Sequence, residues 1–451
     1  MNIIRKISFL LLLGVVIAPS LYARDAWEWD TIDTSKVVFN KNNFLFGVAI
    51  AEYQNSGATN LPNCNWATWE KKGSTIKNHQ TSGVACDFWN RYKDDVTLIS
   101  QLGCNACRLS IDWSSIEPHE GQFDRTAIAH YHEVINKMLI AGITPMVTLH
   151  HFVHPQWFEK LGAFEKEENI YYFVRFCELV FTEFSSKVHL WCPINEPGPF
   201  VLQGYLLGSF PPGKVYALAK AGQVLKNLLK AHIAVYKTLK KLPHGQEAQI
   251  GFIHQYLNME GYHWWDKATL NIMRLRYVLN TVILDFLKTG QFSFKHLIPG
   301  FDTKFEDQKI KTSMDFIGLN YYSEVIIRNC QPGCYNNEIM TDMPYAIYAE
   351  GFYAAIKDMV QFGKPLYITE NGIADVRDDR RELFIKRYLY ALSKAIKDFG
   401  ADVRGYFYWS LMDNFEWENG RTYKFGLYNV DFATQKRTLR PGAQCIKQFF
   451  I

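Results

Sequence analysis

Eight times along the chain a short, nearly continuous apolar run ends in polar or aromatic residues and gives way to a longer stretch with helical periodicity. The runs are 44–51, 106–111, 144–151, 189–196, 248–255, 315–322, 365–372 and 403–411. A strand that is apolar at successive positions is one buried on both faces, which is the signature of a parallel sheet covered by helices. The intervening segments carry the helices. Phe88, Tyr92, Val96 and Ile99 recur at helical spacing before Gly103; Tyr131, Val134, Ile135, Met138 and Leu139 do so before Gly142; Ile385, Tyr388, Leu389, Leu392, Ile396 and Phe399 do so before Gly400. Each glycine is placed to cap a helix, and a strand follows within a few residues. Eight such units in one uninterrupted chain predict an α/β fold, a single (β/α)8 TIM barrel spanning 24–451 with enlarged loops. A doubly wound open sheet is the alternative, but the first run, Gly47-Val48-Ala49-Ile50-Ala51, lacks the GxGxxG turn expected of it.

Composition narrows the partners. The 451 residues carry a net charge of +4, to which Arg5 and Lys6 contribute two, so no basic stripe points to nucleic acid. Those two residues open a segment, 1–23, that reads as a signal peptide: a positive start, an apolar stretch over 7–18, then small residues at Ser20 and Ala23. The stretch is shorter than the roughly 20 residues a membrane span needs. Export is expected, with no span in the mature chain. The absence of any Asn-X-Ser/Thr site favours a bacterial envelope, periplasmic or secreted, over a eukaryotic lumen. Nine cysteines make no dense disulfide framework. Cys104 and Cys107 have redox or zinc spacing but no second pair, while Cys330 and Cys334 flank a Gln-Pro-Gly turn able to carry a bridge. No metal set, phosphate loop or flavin signature appears.

In a barrel of this kind the carboxyl ends of the strands converge on one mouth. Here those ends carry Gln54, Arg108, His150-His151, Asn195-Glu196-Pro197, Asn320-Tyr321-Tyr322, Thr369-Glu370-Asn371-Gly372 and, after the last strand, Trp409, Glu416 and Trp417. Buried charge is costly unless paired, so stability alone does not account for this assembly. Two carboxylates facing one another across a mouth are the apparatus for cleaving an acetal. One protonates the leaving oxygen; the other attacks the anomeric carbon or activates water, and neither step requires a cofactor.

The motifs Trp191-Cys192-Pro193-Ile194-Asn195-Glu196-Pro197, Tyr367-Ile368-Thr369-Glu370-Asn371-Gly372 and Trp409-Ser410-Leu411-Met412-Asp413-Asn414-Phe415-Glu416-Trp417 closely resemble glycoside hydrolase family 1. So do the runs 315–322 and 425–431, and the resemblance extends from about residue 44 to the end. It implies a retaining exo-β-glycosidase, foremost a β-glucosidase, with Glu196 as acid/base and Glu370 as nucleophile. Arg108 and Tyr322 would hold Glu370 ionised, Asn195 would donate to the sugar 2-hydroxyl, and Asn320 supports the strand end. Gln54, His151, Glu416 and Trp417 match sugar-binding positions, and Trp409 would floor the ring.

The chain departs from the family pattern at Asn55-Ser56-Gly57, His150, Phe152 and His154, which leaves glycone and aglycone preference open. Position 416 bears on the glycone: the branch acting on 6-phosphosugars resembles this one except for a small hydroxyl residue there with basic support, whereas Glu416 would repel a phosphate dianion. The expected substrate is therefore an unphosphorylated β-glycoside or oligosaccharide. A non-catalytic glycan- or glycolipid-binding module and a transglycosidase are the alternatives; the first loses a carboxylate in degenerate relatives, and both are present here. Amino-terminal sequencing of exported protein should read a start after Ser20 or Ala23; retention of Met1 on exported material would refute the signal reading.

Overall fold

The computed structural model describes residues 26–272, 280–295 and 302–450. The signal segment expected at 1–23 lies outside them. Eight strands close a barrel: β1 (Leu45–Ala49), β2 (Ala106–Ser110), β3 (Thr144–His150), β4 (Leu190–Ile194), β5 (Gln249–Gln255), β6 (Phe316–Asn320), β7 (Leu366–Asn371) and β8 (Val403–Trp409). All neighbours are parallel, and the ring closes where β1 pairs with β8, Leu45 opposite Gly405 and Ala49 opposite Trp409. Around it lie helices α1 (Phe88–Gln101), α2 (Arg125–Ile140), α3 (Ile170–Phe184), α4 (Leu218–Leu239), α5 (Val282–Thr289), α6 (Ala349–Val360) and α7 (Arg381–Phe399). No described helix is long and apolar enough to cross a membrane.

Period-two alternation sorts the strand residues into two cores. Ala49, Ala106, Met146, Leu190, Cys192, Ile253, Phe316 and Phe407 fill the barrel, while Val48, Cys107, Leu109, Val147, Trp191 and Ile317 face the helices. The helices end as their sequence requires: Gly103 (φ 76°) follows α1 and Gly400 (φ 61°) follows α7, both in the left-handed conformation that glycine takes without Cβ strain. Helix α2 begins on Asp124, whose carboxylate accepts from Thr126 N at 2.7 Å and Ala127 N at 3.2 Å.

The apolar runs overshoot the strands at their carboxyl ends, and the overshoot becomes the rim of the mouth. Run 189–196 leaves the ladder after Ile194 because Glu196 adopts φ 43° and caps the short helix Pro197–Val201. Run 44–51 likewise ends early, and Gln54 sits in the helix Glu52–Asn60.

The cysteine reading is corrected at the second pair. Gln331–Gly333 is a strand, antiparallel to Val325–Arg328, and the turn falls at Asn329 and Cys330 (φ 54° and 60°). Cys330 and Cys334 thus flank an extended segment, roughly 13 Å from end to end at 3.3 Å per residue, beyond the ~7 Å that a disulfide spans. Both are free. Cys104 and Cys107 are free and buried, and burial pushes the Cys107 thiol up to about 12.

Gly372 ties strand seven to strand eight. A Cβ there would lie 1.8 Å from the Trp409 carbonyl oxygen. Gly372→Ala should therefore push the β8 end outward and cost about 1–3 kcal/mol, seen as a lower denaturation midpoint than wild type; an unchanged midpoint would show the close approach to be dispensable.

Candidate active site

The carboxyl ends of β2, β3, β4, β6 and β7 converge on one buried guanidinium. Arg108, on β2, is 1% exposed. Its Nη1 donates to Glu370 Oε1 at 2.5 Å, its Nη2 to Asn195 Oδ1 at 2.7 Å, and its Nε to Thr148 Oγ1 at 3.0 Å. The second Glu370 oxygen accepts from the Tyr322 hydroxyl at 2.7 Å. Glu370 is thus met by a cation and by a phenol, and a guanidinium can only donate, so the oxygen it meets carries no proton.

Glu196 is placed differently. Its Oε1 accepts from Asn320 Nδ2 at 2.6 Å, and no cation pairs with it among the described residues. Burial first, and then the neighbouring Glu370 charge, hold its carboxyl well above the usual carboxylate range, while the Asn320 N–H pulls the other way. Two buried carboxyl groups of one cavity therefore differ in their surroundings, one paired with a cation and the other not. Asn320 is itself fixed: Thr369 Oγ1 donates to its Oδ1 at 2.6 Å, leaving Nδ2 for Glu196 and, at 3.3 Å, for Asn195 Oδ1.

The cavity, about 280 Å³, is lined by His151, Glu196, Tyr322, Glu370, Trp409, Glu416 and Trp417 among others. The His151 ring lies nearly parallel to those of Trp409 and Trp417, with centroids 5.9 and 6.1 Å away. Burial, then Arg108, keep His151 well below the ordinary histidine value, so its ring is neutral. Glu416 is pushed up to about 8, by burial first and then by the Glu418 and Glu370 charges, against hydrogen bonds from Gln54 and Trp409. Gln54 Nε2 lies 3.2 Å from Glu416 Oε2 and 3.4 Å from Asn414 Oδ1.

Of the residues singled out in the sequence, Gln54, Arg108, Asn195 and Asn320 do not reach the cavity wall; they lie beneath it and hold the residues that do. Four contributors were not anticipated as site residues. Thr148 was legible in principle, two positions from inward-facing Met146 on β3; Thr369 and Asn414 stood inside quoted motifs; Glu418 sits in the single 3-10 turn Trp417–Asn419, too short for any periodicity to constrain.

The chain belongs to glycosyl hydrolase family 1, whose family model matches residues 36–450. Among solved structures it is similar to a beta-glycosidase from Pyrococcus horikoshii, with 35% identity, a TM-score of 0.79, and 90% of this chain and 93% of that one covered. It is also similar to a beta-glucosidase from Thermotoga maritima in complex with glucoimidazole, with 28% identity, a TM-score of 0.81, and 91% and 99% covered. Among curated proteins, a 6-phospho-beta-galactosidase from Streptococcus mutans is 33% identical over 460 residues, covering 90% of this chain and 97% of the relative. The chain is a glycoside hydrolase, an enzyme that cleaves O-glycosyl bonds.

Arg108→Met would leave Glu370 buried without its cation. Breaking one side of such a pair costs about 3–5 kcal/mol, so the variant should unfold at markedly lower denaturant than wild type; equal midpoints would show that the pair contributes nothing to the fold.

Proposed function

We propose that this chain is a retaining exo-β-glycosidase for unphosphorylated terminal sugars, foremost a β-glucosidase. Glu370 attacks the anomeric carbon while Glu196 gives its proton to the leaving oxygen; Glu196 then takes a proton from the water that releases the sugar. Asn320 occupies Glu196 Oε1, so the transferable proton sits on Oε2. Trp409 floors the ring, Trp417, His151 and Glu416 receive the sugar, and Gln54 holds Glu416 in place. Asn195, oriented by Arg108, donates from beneath the wall to His151 and so holds that ring toward the sugar.

The observation that carries the choice of glycone is the charge of the cavity wall. Glu196, Glu370, Glu416 and Glu418 line it, and no lysine or arginine does among the described residues. A phosphate dianion at this wall would be buried with no lysine or arginine of the wall to compensate it, which is costly. A 6-phosphogalactoside is the second reading, favoured by the names of two curated relatives, both 6-phospho-beta-galactosidases.

A nitrophenyl panel of β-glucoside, β-galactoside, β-fucoside and 6-phospho-β-galactoside decides between the two, with product anomer followed by NMR. Turnover of the plain glucoside with retained configuration is expected; turnover confined to the phosphorylated sugar would overturn the glycone assignment. Glu370→Ala should lose at least about 10³-fold and Glu196→Gln about 10²–10⁴-fold on poor leaving groups. The acid form of Glu196 persists above the ordinary carboxylate range, so kcat/KM should fall as pH rises through that raised value. The alkaline limb should be missing in Glu196→Gln.

A further inference from the structure

We propose that the leaving-group half of the cavity is an apolar site, and that the chain cleaves β-glycosides of extended hydrophobic alcohols in preference to disaccharides. This rests on the glycosidase reading above and names the class of aglycone.

The barrel order divides the mouth. Strands run β1-β8-β7-β6-β5-β4-β3-β2 around the ring, so β5 lies opposite β1 and β4 opposite β8. Most of the sugar-receiving groups come from segments after β1, β3 and β8. Glu196, which must face the departing oxygen, ends β4, and the wall on its side is built by segments after β4, β5 and β6. That wall is Leu202, Leu207, Leu257, Met259, Val325 and Pro332.

Two of its hydroxyl groups, and one amide carbonyl, are already committed elsewhere. Ser323 donates to the Ala346 carbonyl at 2.5 Å and Tyr256 to Asp358 at 2.5 Å, and the Gln203 carbonyl accepts from Ser209 at 2.6 Å. A second sugar ring would bring several hydroxyls against this wall and find chiefly the Gln203 and Gln255 amides and the Tyr345 hydroxyl. Burying hydroxyls without partners is unfavourable, whereas burying methylenes is favourable in proportion to their area. The apolar surface also continues outward. Leu207 is 40% exposed and forms a bridge with Val215, itself 46% exposed and followed by Tyr216 at 44%. An aglycone too long for the cavity therefore meets more apolar surface at the mouth.

The chemistry is ordinary hydrolysis. The bond from the anomeric carbon to the aglycone oxygen breaks, the Glu196 proton goes to that oxygen, and water completes the sugar and reprotonates Glu196.

The test is a homologous series of alkyl β-glycosides, methyl to octyl, carrying the glycone selected by the nitrophenyl panel and kept below micellar concentrations, beside a disaccharide with the same terminal sugar. We expect kcat/KM to rise about two- to fourfold per methylene over the first several carbons, with the disaccharide no better than the methyl glycoside. Non-hydrolysable alkyl thioglycosides should inhibit wild type more tightly with chain length, a measurement that needs no variant. Met259→Gln should flatten the chain-length slope and Met259→Leu should keep it. A flat series with the disaccharide preferred overturns this inference and leaves the glycosidase reading standing. Failure to cleave any member, the nitrophenyl glycosides included, overturns both.

Discussion

A donor-only group at the centre of the barrel fixes the polarity of everything around it. Arg108 has five N–H bonds and no acceptor, so the Asn195 atom it meets at 2.7 Å must be the carbonyl oxygen. The Asn195 amide nitrogen then faces His151 Nε2 at 3.2 Å, and since the ring is neutral that nitrogen accepts. The same Asn195 oxygen receives Asn320 Nδ2, which turns the Asn320 carbonyl toward the Thr369 hydroxyl and its other N–H toward Glu196. One guanidinium thus dictates the orientation of two amides and one imidazole, and with them which oxygen of Glu196 is free to carry a proton. Without Arg108 each of these side chains has two acceptable orientations.

The barrel was legible because it is periodic. Strands buried on both faces must be apolar at successive positions, and the helices between them must show one apolar face, so all eight units announced themselves. The two glutamates were legible because they stand where strands end. What the pattern could not resolve was depth. Gln54 and Asn195 were placed as sugar contacts, yet they lie beneath the cavity surface, because a strand-end position says that a residue reaches the mouth and not how far its neighbours cover it. The Cys330–Cys334 segment failed for a related reason. Gln-Pro-Gly has the composition of a turn, but pairing with Val325–Arg328 makes it a strand and moves the bend to Asn329 and Cys330, where local preference is overridden by the sheet. The apolar wall of Leu202, Met259 and Val325 had no periodic signal at all, since it is assembled from three short, separate elements outside the barrel, a helical turn (Leu202–Leu206) and two strands (Met259–Gly261 and Val325–Arg328).

Kinship and local chemistry answer different questions here. Similarity over nine-tenths of the chain settles the reaction class. Substrate choice is made by the rim, where relatives of about one-third identity are free to differ. Among the described residues the cavity wall of this chain holds no lysine or arginine, and Lys424, the nearest lysine in sequence to Glu416 and Glu418, stands over the Phe432 ring.

Among the described residues the cavity is walled by four glutamates and no cation, and protons kept on them limit the charge that accumulates. Glu370 alone is paired with an arginine. Glu196 is held well above the carboxylate range, Glu416 is pushed up to about 8 and Glu418 to about 7, burial being the foremost cause for each. Near neutral pH the wall therefore carries far less than its formal negative charge. Two consequences follow from that one condition. A protonated Glu416 can donate as well as accept, which suits it to a sugar hydroxyl that does both. In the proposed reading an entering dianion, by contrast, would have to be buried without compensation in a site that already suppresses its own charges, so the physics that keeps a proton on Glu196 also weighs against a phosphate on the sugar.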